Sequence, residues 1–176
     1  QRLGIAQALY ILKERGSVLI ADATGSGKTR MGVHLIGAKM HEIISSNRLR
    51  RGKALLISPP SVESEWMSES AIASVPLDVF SHGILSRAKG DSHDSLLTNL
   101  RRAQILCVDE GHNFLNFNSN RTQQLLRNMA DHVALFTATP INRSAVDLLR
   151  IADMLGADNL DDQTVKAFDR MLGARS

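Results

Sequence analysis

The residues of this sequence with the clearest chemical potential form the stretch Asp22–Thr29, which reads Asp-Ala-Thr-Gly-Ser-Gly-Lys-Thr. It follows the apolar run 17–21 and leads into a segment of helical pattern over residues 28–44. A strand, a glycine turn ending in Gly-Lys-Thr and a helix are typical of a phosphate-binding loop. Glycines let backbone N–H groups converge on phosphate oxygens, and the helix dipole strengthens the attraction. The sequence therefore predicts a nucleotide site at this turn.

Within this loop, Lys28 can place a positive charge on the outer phosphates of a nucleotide, and the Thr29 hydroxyl can coordinate Mg²⁺. We expect the rest of the cradle to be formed by Thr24, Gly25, Ser26 and Gly27. The usual pattern starts with a glycine where this sequence has Asp22, so an ordinary surface loop is the alternative. The flanking strand and helix favour the phosphate loop.

A second candidate cluster follows the apolar run Gln104–Val108. Here Asp109 is placed to hold Mg²⁺ through water, and Glu110 to orient or deprotonate an attacking water. We expect His112, Thr137 and Thr139 to lie near the acids and the outermost phosphate, where they would couple the site to the rest of the protein. The alternatives are a solvated strand end for the acids, a polar surface residue for His112 and a simple turn for the threonines.

The pattern of apolar residues predicts the elements that must position these groups. Predicted strands cover residues 17–21, 54–58, 76–81, 104–108 and 132–137, and predicted helices cover 3–15, 28–44, a segment starting near 61, 94–101, 119–130, 143–155 and 161–172, with a loop over 87–95. Alternating strands and helices indicate an α/β fold with a parallel sheet covered on both faces. Since ligands bind beyond the carboxyl ends of parallel strands, the polar clusters should meet along one edge.

Composition is that of an ordinary globular domain, and the 176 residues predict a single unit over 1–176. The net charge of +3 permits nucleic-acid binding without arguing for it. The single cysteine, Cys107, lies in an apolar run, which favours core packing and excludes a disulfide framework. No membrane-spanning or signal-peptide pattern is present, so we expect an intracellular protein, and a first residue other than Met suggests a fragment of a longer chain.

Other polar or aromatic residues have simpler interpretations. The basic connector, residues 48–53, precedes a strand and should lie at the edge opposite the nucleotide as a solvated loop. His34 and His41 lack metal-ligand spacing and should be surface or packing residues. Trp66 is expected to be a core or interface anchor. Ser61 is a candidate N-cap for the helix that follows it.

Taken together, Asp22–Thr29, Asp109–His112 and Thr137–Pro140 resemble motifs I, II and III of superfamily-two helicases, and more closely those of the Swi/Snf-type ATPases. Asp22 fits that branch, whose loop commonly begins with Asp. The segment Pro59–Trp66 is similar to motif Ia of the same branch, and Gln1 stands where an adenine-reading glutamine would. Asn113 and Leu115 depart from the family, which has basic residues there.

The resemblance implies the first of two RecA-like P-loop domains, with ATP and Mg²⁺ as cofactors and a second lobe, carrying arginine fingers, as the missing partner. It also implies duplex DNA as a partner, contacted near Ser61, Ser81 and Arg87. The expected function is ATP hydrolysis coupled to movement on duplex DNA. The alternatives are the motor of a strand-separating helicase or of a restriction or repair complex, and a nucleotide-dependent binding module without efficient turnover.

Overall fold

The computed structural model describes residues 17–21, 25–87, 89–114 and 118–137. The helices predicted over 3–15, 143–155 and 161–172 lie outside these residues, as do Gln1, Thr24 and Thr139. Among the described residues, none of the helices has the length and apolar character needed to cross a membrane.

The described strands form one parallel sheet. They are β1 (Ser17–Ala21), β2 (Ala54–Ser58), β3 (Leu77–Ser81), β4 (Ile105–Asp109) and β5 (His132–Thr137). Their order across the sheet is β1-β5-β4-β2-β3, and each neighbouring pair is parallel. The sequence prediction of a parallel α/β fold is confirmed, with strand bounds that shift by at most one residue.

Helices connect the strands. They are α1 (Gly25–Ser45), α2 (Glu63–Ile72), α3 (His82–Leu85), α4 (Asp91–Arg102) and α5 (Asn120–Leu125), with 3₁₀ turns over Pro60–Val62 and Gly111–Phe114. Each crossover helix returns the chain to the amino edge of the sheet, as parallel pairing requires. The carboxyl ends of the five described strands therefore lie along one edge of the sheet.

Two apolar cores lie on the two faces of the sheet, because successive strand residues point to opposite sides. Leu55 and Ile57 of β2 belong to one core, where α3, α4 and α5 contribute Leu85, Leu96 and Leu125. The opposite core contains residues from α1 and α2 together with the alternate strand residues, among them Val33, Ile36, Leu56, Trp66, Cys107 and Phe136. The predicted core position of Cys107 is confirmed, and burial raises the pKa of its thiol.

Three local predictions were wrong. Ser61 does not cap a helix, because a 3₁₀ turn precedes α2 and places Val62 at the N-cap. The loop predicted over 87–95 ends early, since α4 begins at Asp91, where Asp91 and Asp94 favour the helix N-terminus and Leu96 and Leu100 are buried. The helix predicted over 119–130 ends at Leu125. There the Asn128 side chain donates to the Leu125 carbonyl oxygen and accepts from the Ala130 amide, which stabilises a turn.

The basic connector lies at the amino edge of the sheet, as predicted. Gln104, which precedes β4, accepts from the Arg50 amide at 2.5 Å and donates to the Arg48 carbonyl at 2.9 Å. Arg50 pairs with Asp131 and Arg51 with Asp78. These contacts fasten the connector on the side away from the predicted nucleotide site. The exposed positions of His34 and His41 also agree with the sequence prediction.

Gly32 allows α1 to lie close to the aromatic rings of Trp66 and Phe136. A Cβ at this position would lie 2.6 Å from Trp66 Cη2 and 3.1 Å from Phe136 Cε1. Glycine inside a helix ordinarily costs about 1 kcal/mol relative to alanine, so its presence here has a packing reason.

We therefore expect Gly32→Ala to lower the free energy of unfolding by about 1–3 kcal/mol, because overpacking outweighs the gain in helix propensity. Urea unfolding measures the change. Gly52→Ala is the control, since a Cβ there meets nothing within 4 Å. A Gly32→Ala protein as stable as the wild type would contradict this packing account.

Candidate nucleotide site

The predicted phosphate loop follows β1 in the chain, and the structure describes its last five residues, Gly25–Thr29, within α1. The helix begins at Gly25, three residues earlier than predicted, so Gly25, Ser26, Gly27 and Lys28 form its first turn. The first four N–H groups of an α-helix have no acceptor within the helix. Four such donors are therefore available in the stretch predicted to bind phosphate, and they lie at the positive end of the helix dipole.

Lys28 connects this loop to the acids that follow β4. Its Nζ lies 2.6 Å from Asp109 Oδ1 and 3.0 Å from Glu110 Oε1. Only 5% of the residue is exposed. Burial opposes the charge, but the hydrogen bonds and the attraction to both carboxylates outweigh it and raise the pKa of Lys28. The amine is therefore a permanent cation directed at the two acids, and the predicted meeting of the clusters is observed.

Asp109 is the last residue of β4 and is 1% exposed. Its Oδ1 accepts from Lys28 and, at 2.9 Å, from the backbone amide of Glu110. Its Oδ2 accepts from the Trp66 indole Nε1 at 2.9 Å. Such donors offset the cost of burying a carboxylate. Trp66 is the core anchor that the sequence predicted, but its bond to Asp109 was missed because Trp66 lies inside α2 and not at a strand end.

His82 is a further residue of the site that sequence reasoning missed. Its Nε2 lies 2.8 Å from the backbone carbonyl oxygen of Asp109. Since a carbonyl oxygen can only accept, Nε2 must carry the proton. Burial lowers the pKa of His82 to about 4, so the ring is neutral at pH 7. His82 directly follows β3, and the rule that strand ends carry the chemistry could have identified it.

The backbone turns sharply between the two acids. Glu110 has a φ of 54°, in the left-handed region that non-glycine residues seldom adopt. This conformation follows a strand residue whose carbonyl is held by His82, and it precedes the 3₁₀ turn Gly111–Phe114. The result is that both carboxylates of a consecutive pair reach the same lysine. Among the described residues, Asn47 and Ser74 share this conformation at turns after helices, whereas Glu110 adopts it within the candidate site.

Oxygen donors of the kind that Mg²⁺ prefers are present beside this cluster. Thr29 is 2% exposed and follows Lys28 in α1, and Asp109 supplies a carboxylate. In the described part of the chain, no group of three or more His, Cys, Asp or Glu side chains could hold a metal by itself. Magnesium usually binds through one or two protein oxygens together with phosphate oxygens and water, so this sparse donor set fits a nucleotide-bound ion.

The residues predicted to contact nucleic acid lie at the end of β3 or in the segments that follow β2 and β3 in the chain. Ser61 and Arg87 are exposed, and Ser81 is half-buried at the end of β3. Ser81 pairs in register with Ser58, so the segments after β2 and β3 emerge side by side. The edge that carries the acids thus continues directly into these two segments.

The predicted coupling residues are only partly covered by the structure. His112 belongs to the 3₁₀ turn after the acids, and Thr137 ends β5, where its backbone pairs with Ala21 at the end of β1. Thr139 lies outside the described residues. The backbone of Thr137 therefore lies next to the strand that precedes the predicted phosphate loop.

This arrangement defines a class of protein: a RecA-like α/β domain in which a lysine of the predicted phosphate loop contacts a pair of acids. Comparison with known proteins agrees. A solved structure described as the Sulfolobus solfataricus SWI2/SNF2 ATPase core in complex with dsDNA superimposes with a TM-score of 0.65 at 19% identity, over 87% of this chain and 34% of that one.

Sequence relatives are of the same kind. A Danio rerio protein named as a SWI/SNF-related regulator of chromatin containing DEAD/H box 1A is 22% identical over 201 residues, covering 100% of this chain and 20% of the relative. YwqA of Bacillus subtilis, named as an ATP-dependent helicase/translocase, is 24% identical over 183 residues, covering 93% and 19%. The chain thus spans about a fifth of the length of these curated relatives.

The family model of the SNF2-related domain matches residues 79–175, which is more than half of the chain. The protein belongs to the SNF2-related domain family and corresponds to the N-terminal lobe of SNF2-type superfamily-two helicases. The family expected from Asp22 and the three motifs is confirmed.

Proposed function

We propose that this chain is the ATP-binding and hydrolysing lobe of a Swi/Snf-type translocase that couples ATP hydrolysis to movement on duplex DNA. The contact of Lys28 with Asp109 and Glu110 carries this proposal. This contact joins Lys28 to two acids that lie 81 and 82 residues further along the chain. An ATPase needs a cation, a carboxylate beside the metal and a base close to one another. The names of the relatives, which include an ATP-dependent helicase/translocase, support ATP as the nucleotide.

Each residue of the cluster has a proposed role. The loop from Thr24 to Thr29 cradles the phosphates, and Lys28 neutralises the outer ones. Thr29 and Asp109 hold Mg²⁺, which when bound neutralises charge that develops on the phosphates. Glu110 orients or deprotonates the attacking water. Gln1 reads the adenine, while His112, Thr137 and Thr139 couple the nucleotide to the nucleic acid.

Residues 1–176 form one RecA-like lobe in this proposal, and a second lobe of the same protein completes the ATP site with arginine fingers. An arginine finger contributes roughly 10³–10⁵ in rate in related phosphoryl-transfer enzymes. The isolated lobe is therefore expected to bind nucleotide weakly and to hydrolyse it little. In that state it behaves like the alternative class, a nucleotide-binding module without efficient turnover.

Duplex DNA is the proposed partner, contacted through its phosphates near Ser61, Ser81 and Arg87. These residues lie at the end of β3 or in the segments after β2 and β3, and the similar Sulfolobus ATPase core is described in complex with dsDNA. Since the partner is DNA, the proposal also places the protein inside the cell.

We expect duplex DNA to stimulate ATP hydrolysis by the complete protein more than single-stranded DNA of the same length does. A coupled ATPase assay over a range of DNA concentrations measures both. The reverse ranking would contradict duplex translocation and favour the strand-separating helicase.

A matched pair of variants tests the DNA edge in the same assay. Arg87→Ala removes an exposed cation from the segment after β3 that is proposed to contact DNA, so half-maximal stimulation should need more DNA. The slope of log affinity against log salt concentration should also fall by about one phosphate contact. Arg48→Ala removes an exposed cation from the amino edge of the sheet and should change neither quantity. Equal effects of the two variants would show that the DNA site is elsewhere.

A further inference from the structure

Asp109 is held from both faces of the sheet. Trp66 reaches its carboxylate from the core beneath α1 and α2. His82 reaches its backbone carbonyl and packs edge-to-face on Phe114, which belongs to the opposite core, with ring centroids 4.8 Å apart. The backbone of Asp109 is further fixed by its register with Phe136. Rotation of the side chain is thus the freedom that remains, and the Trp66 bond restrains it.

Trp66 is itself clamped on several sides. The residue is fully buried, and its ring packs edge-to-face against Phe136 at 5.5 Å. The space for its indole is provided by Gly32 of α1, whose added Cβ would approach the ring to 2.6 Å. One indole therefore touches both the helix of the phosphate loop and the carboxylate at the end of β4.

The two carboxylate oxygens of Asp109 accept hydrogen bonds from different donors. Oδ2 receives the indole N–H, whereas Oδ1 receives the Lys28 amine and the Glu110 amide. Without the indole N–H, Oδ2 would be a buried acceptor lacking this charge-assisted hydrogen bond, and the carboxylate could rotate to recover one. The indole thus keeps Oδ1 directed toward the phosphate loop.

We propose that Trp66 is a positioning residue for the magnesium-dependent step of nucleotide binding, because its Nε1–H fixes the orientation of the Asp109 carboxylate. The inference rests on the proposed function, which makes Asp109 a holder of Mg²⁺. Hydrogen-bond partners of metal-ligating side chains orient those ligands, and their loss typically lowers metal affinity about 10–100-fold. Trp66 touches neither nucleotide nor metal in this account.

The test replaces Trp66 in the complete protein by β-(3-benzothienyl)alanine, in which sulfur takes the place of the indole N–H and the ring shape is kept. Titration calorimetry measures ADP affinity with Mg²⁺ and with EDTA. We expect the affinity in EDTA to be unchanged and the gain caused by Mg²⁺ to fall about 10-fold or more. A Trp66→Phe variant, which also lacks the N–H, should lose the same gain.

Phe136→Leu is the matched control, because Phe136 packs against Trp66 in the same core and its ring donates no hydrogen bond to Asp109. It should lower thermal stability while leaving the gain caused by Mg²⁺ intact. A purely structural role for Trp66 predicts the same behaviour for the benzothienyl variant. If the benzothienyl variant keeps the full gain in ADP affinity caused by Mg²⁺, with or without a loss of thermal stability, the inference is overturned.

The outcomes for the two proposals are separable. If the wild-type protein binds ADP no better with Mg²⁺ than with EDTA, the proposed nucleotide and metal site fails. If the wild-type protein shows the gain and the benzothienyl variant keeps it, only the role of Trp66 fails.

Discussion

Replacing Lys28 with alanine is expected to abolish ATP binding by the complete protein. The amine is 2.6 Å from Asp109 Oδ1 and 3.0 Å from Glu110 Oε1, and it is the cation that the loop offers to the outer phosphates. Its removal leaves two neighbouring carboxylates without that cation, and they would repel the phosphates. Removing one partner of a buried, hydrogen-bonded charge pair in a complex typically costs about 2–5 kcal/mol of binding free energy, which corresponds to an affinity loss of about 30-fold or more. Titration calorimetry measures it.

Lys39→Ala provides the control for this experiment. Lys39 lies on the same helix, its side chain is 5% exposed against 6% for Lys28, and it also pairs with a carboxylate, Glu42, at 3.0 Å. It is eleven residues from Lys28 along α1, so ATP affinity should not change. Circular dichroism establishes that both variants are folded. Unchanged ATP affinity in a folded Lys28→Ala protein would rule out the phosphate-loop assignment.

The second large effect is expected from Glu110→Gln, which should keep ATP binding and remove DNA-stimulated turnover. The amide oxygen of glutamine can still accept a hydrogen bond from Lys28. Glutamate and glutamine pay the same conformational cost at a φ of 54°, so the turn at position 110 is preserved. The amide cannot accept a proton from water. General-base catalysis is typically worth about 10²–10⁴ in rate, which sets the expected loss in kcat.

Glu69→Gln is the matched control for this prediction. Glu69 has a side-chain exposure of 25% against 20% for Glu110, and it too faces a cation of α1, Arg30, at 3.8 Å. Neutralising it should leave turnover within about twofold, as expected for an exposed ion pair. If Glu110→Gln hydrolysed ATP at the wild-type rate in the presence of DNA, another group would have to be the catalytic base.

The strands could be predicted because their sequences are nearly continuous apolar runs. β2 and β4 are fully buried along their length, as strands covered on both faces must be. Helix ends were harder to predict, because weak local preferences compete there with packing. Residues 91–95 have the composition of a polar loop, yet they form the first turn of α4 because His93 and Leu96 are buried there.

The candidate site was predictable to the extent that it follows from strand ends. Lys28, Asp109 and Glu110 were expected together because parallel strands bring their carboxyl ends to one edge, and the structure places them in direct contact. The same rule could have placed His82, which directly follows β3, at this edge, but it could not have predicted the bond that His82 makes. The rule does not apply to Trp66, which lies within α2. Each acts through a single N–H whose direction depends on how a helix packs on the sheet.

The sequence by itself determined the parallel α/β order and the family, and it predicted the phosphate loop and the acids, since these depend on residue types at fixed spacings along the chain. Only the tertiary structure decided which residues hold Asp109 in place. The indole of Trp66 reaches that carboxylate because Gly32 lets α1 lie close to the ring, and His82 reaches the carbonyl from the other core. Such contacts arise from the packing of two separate cores on one sheet, and no local spacing encodes them.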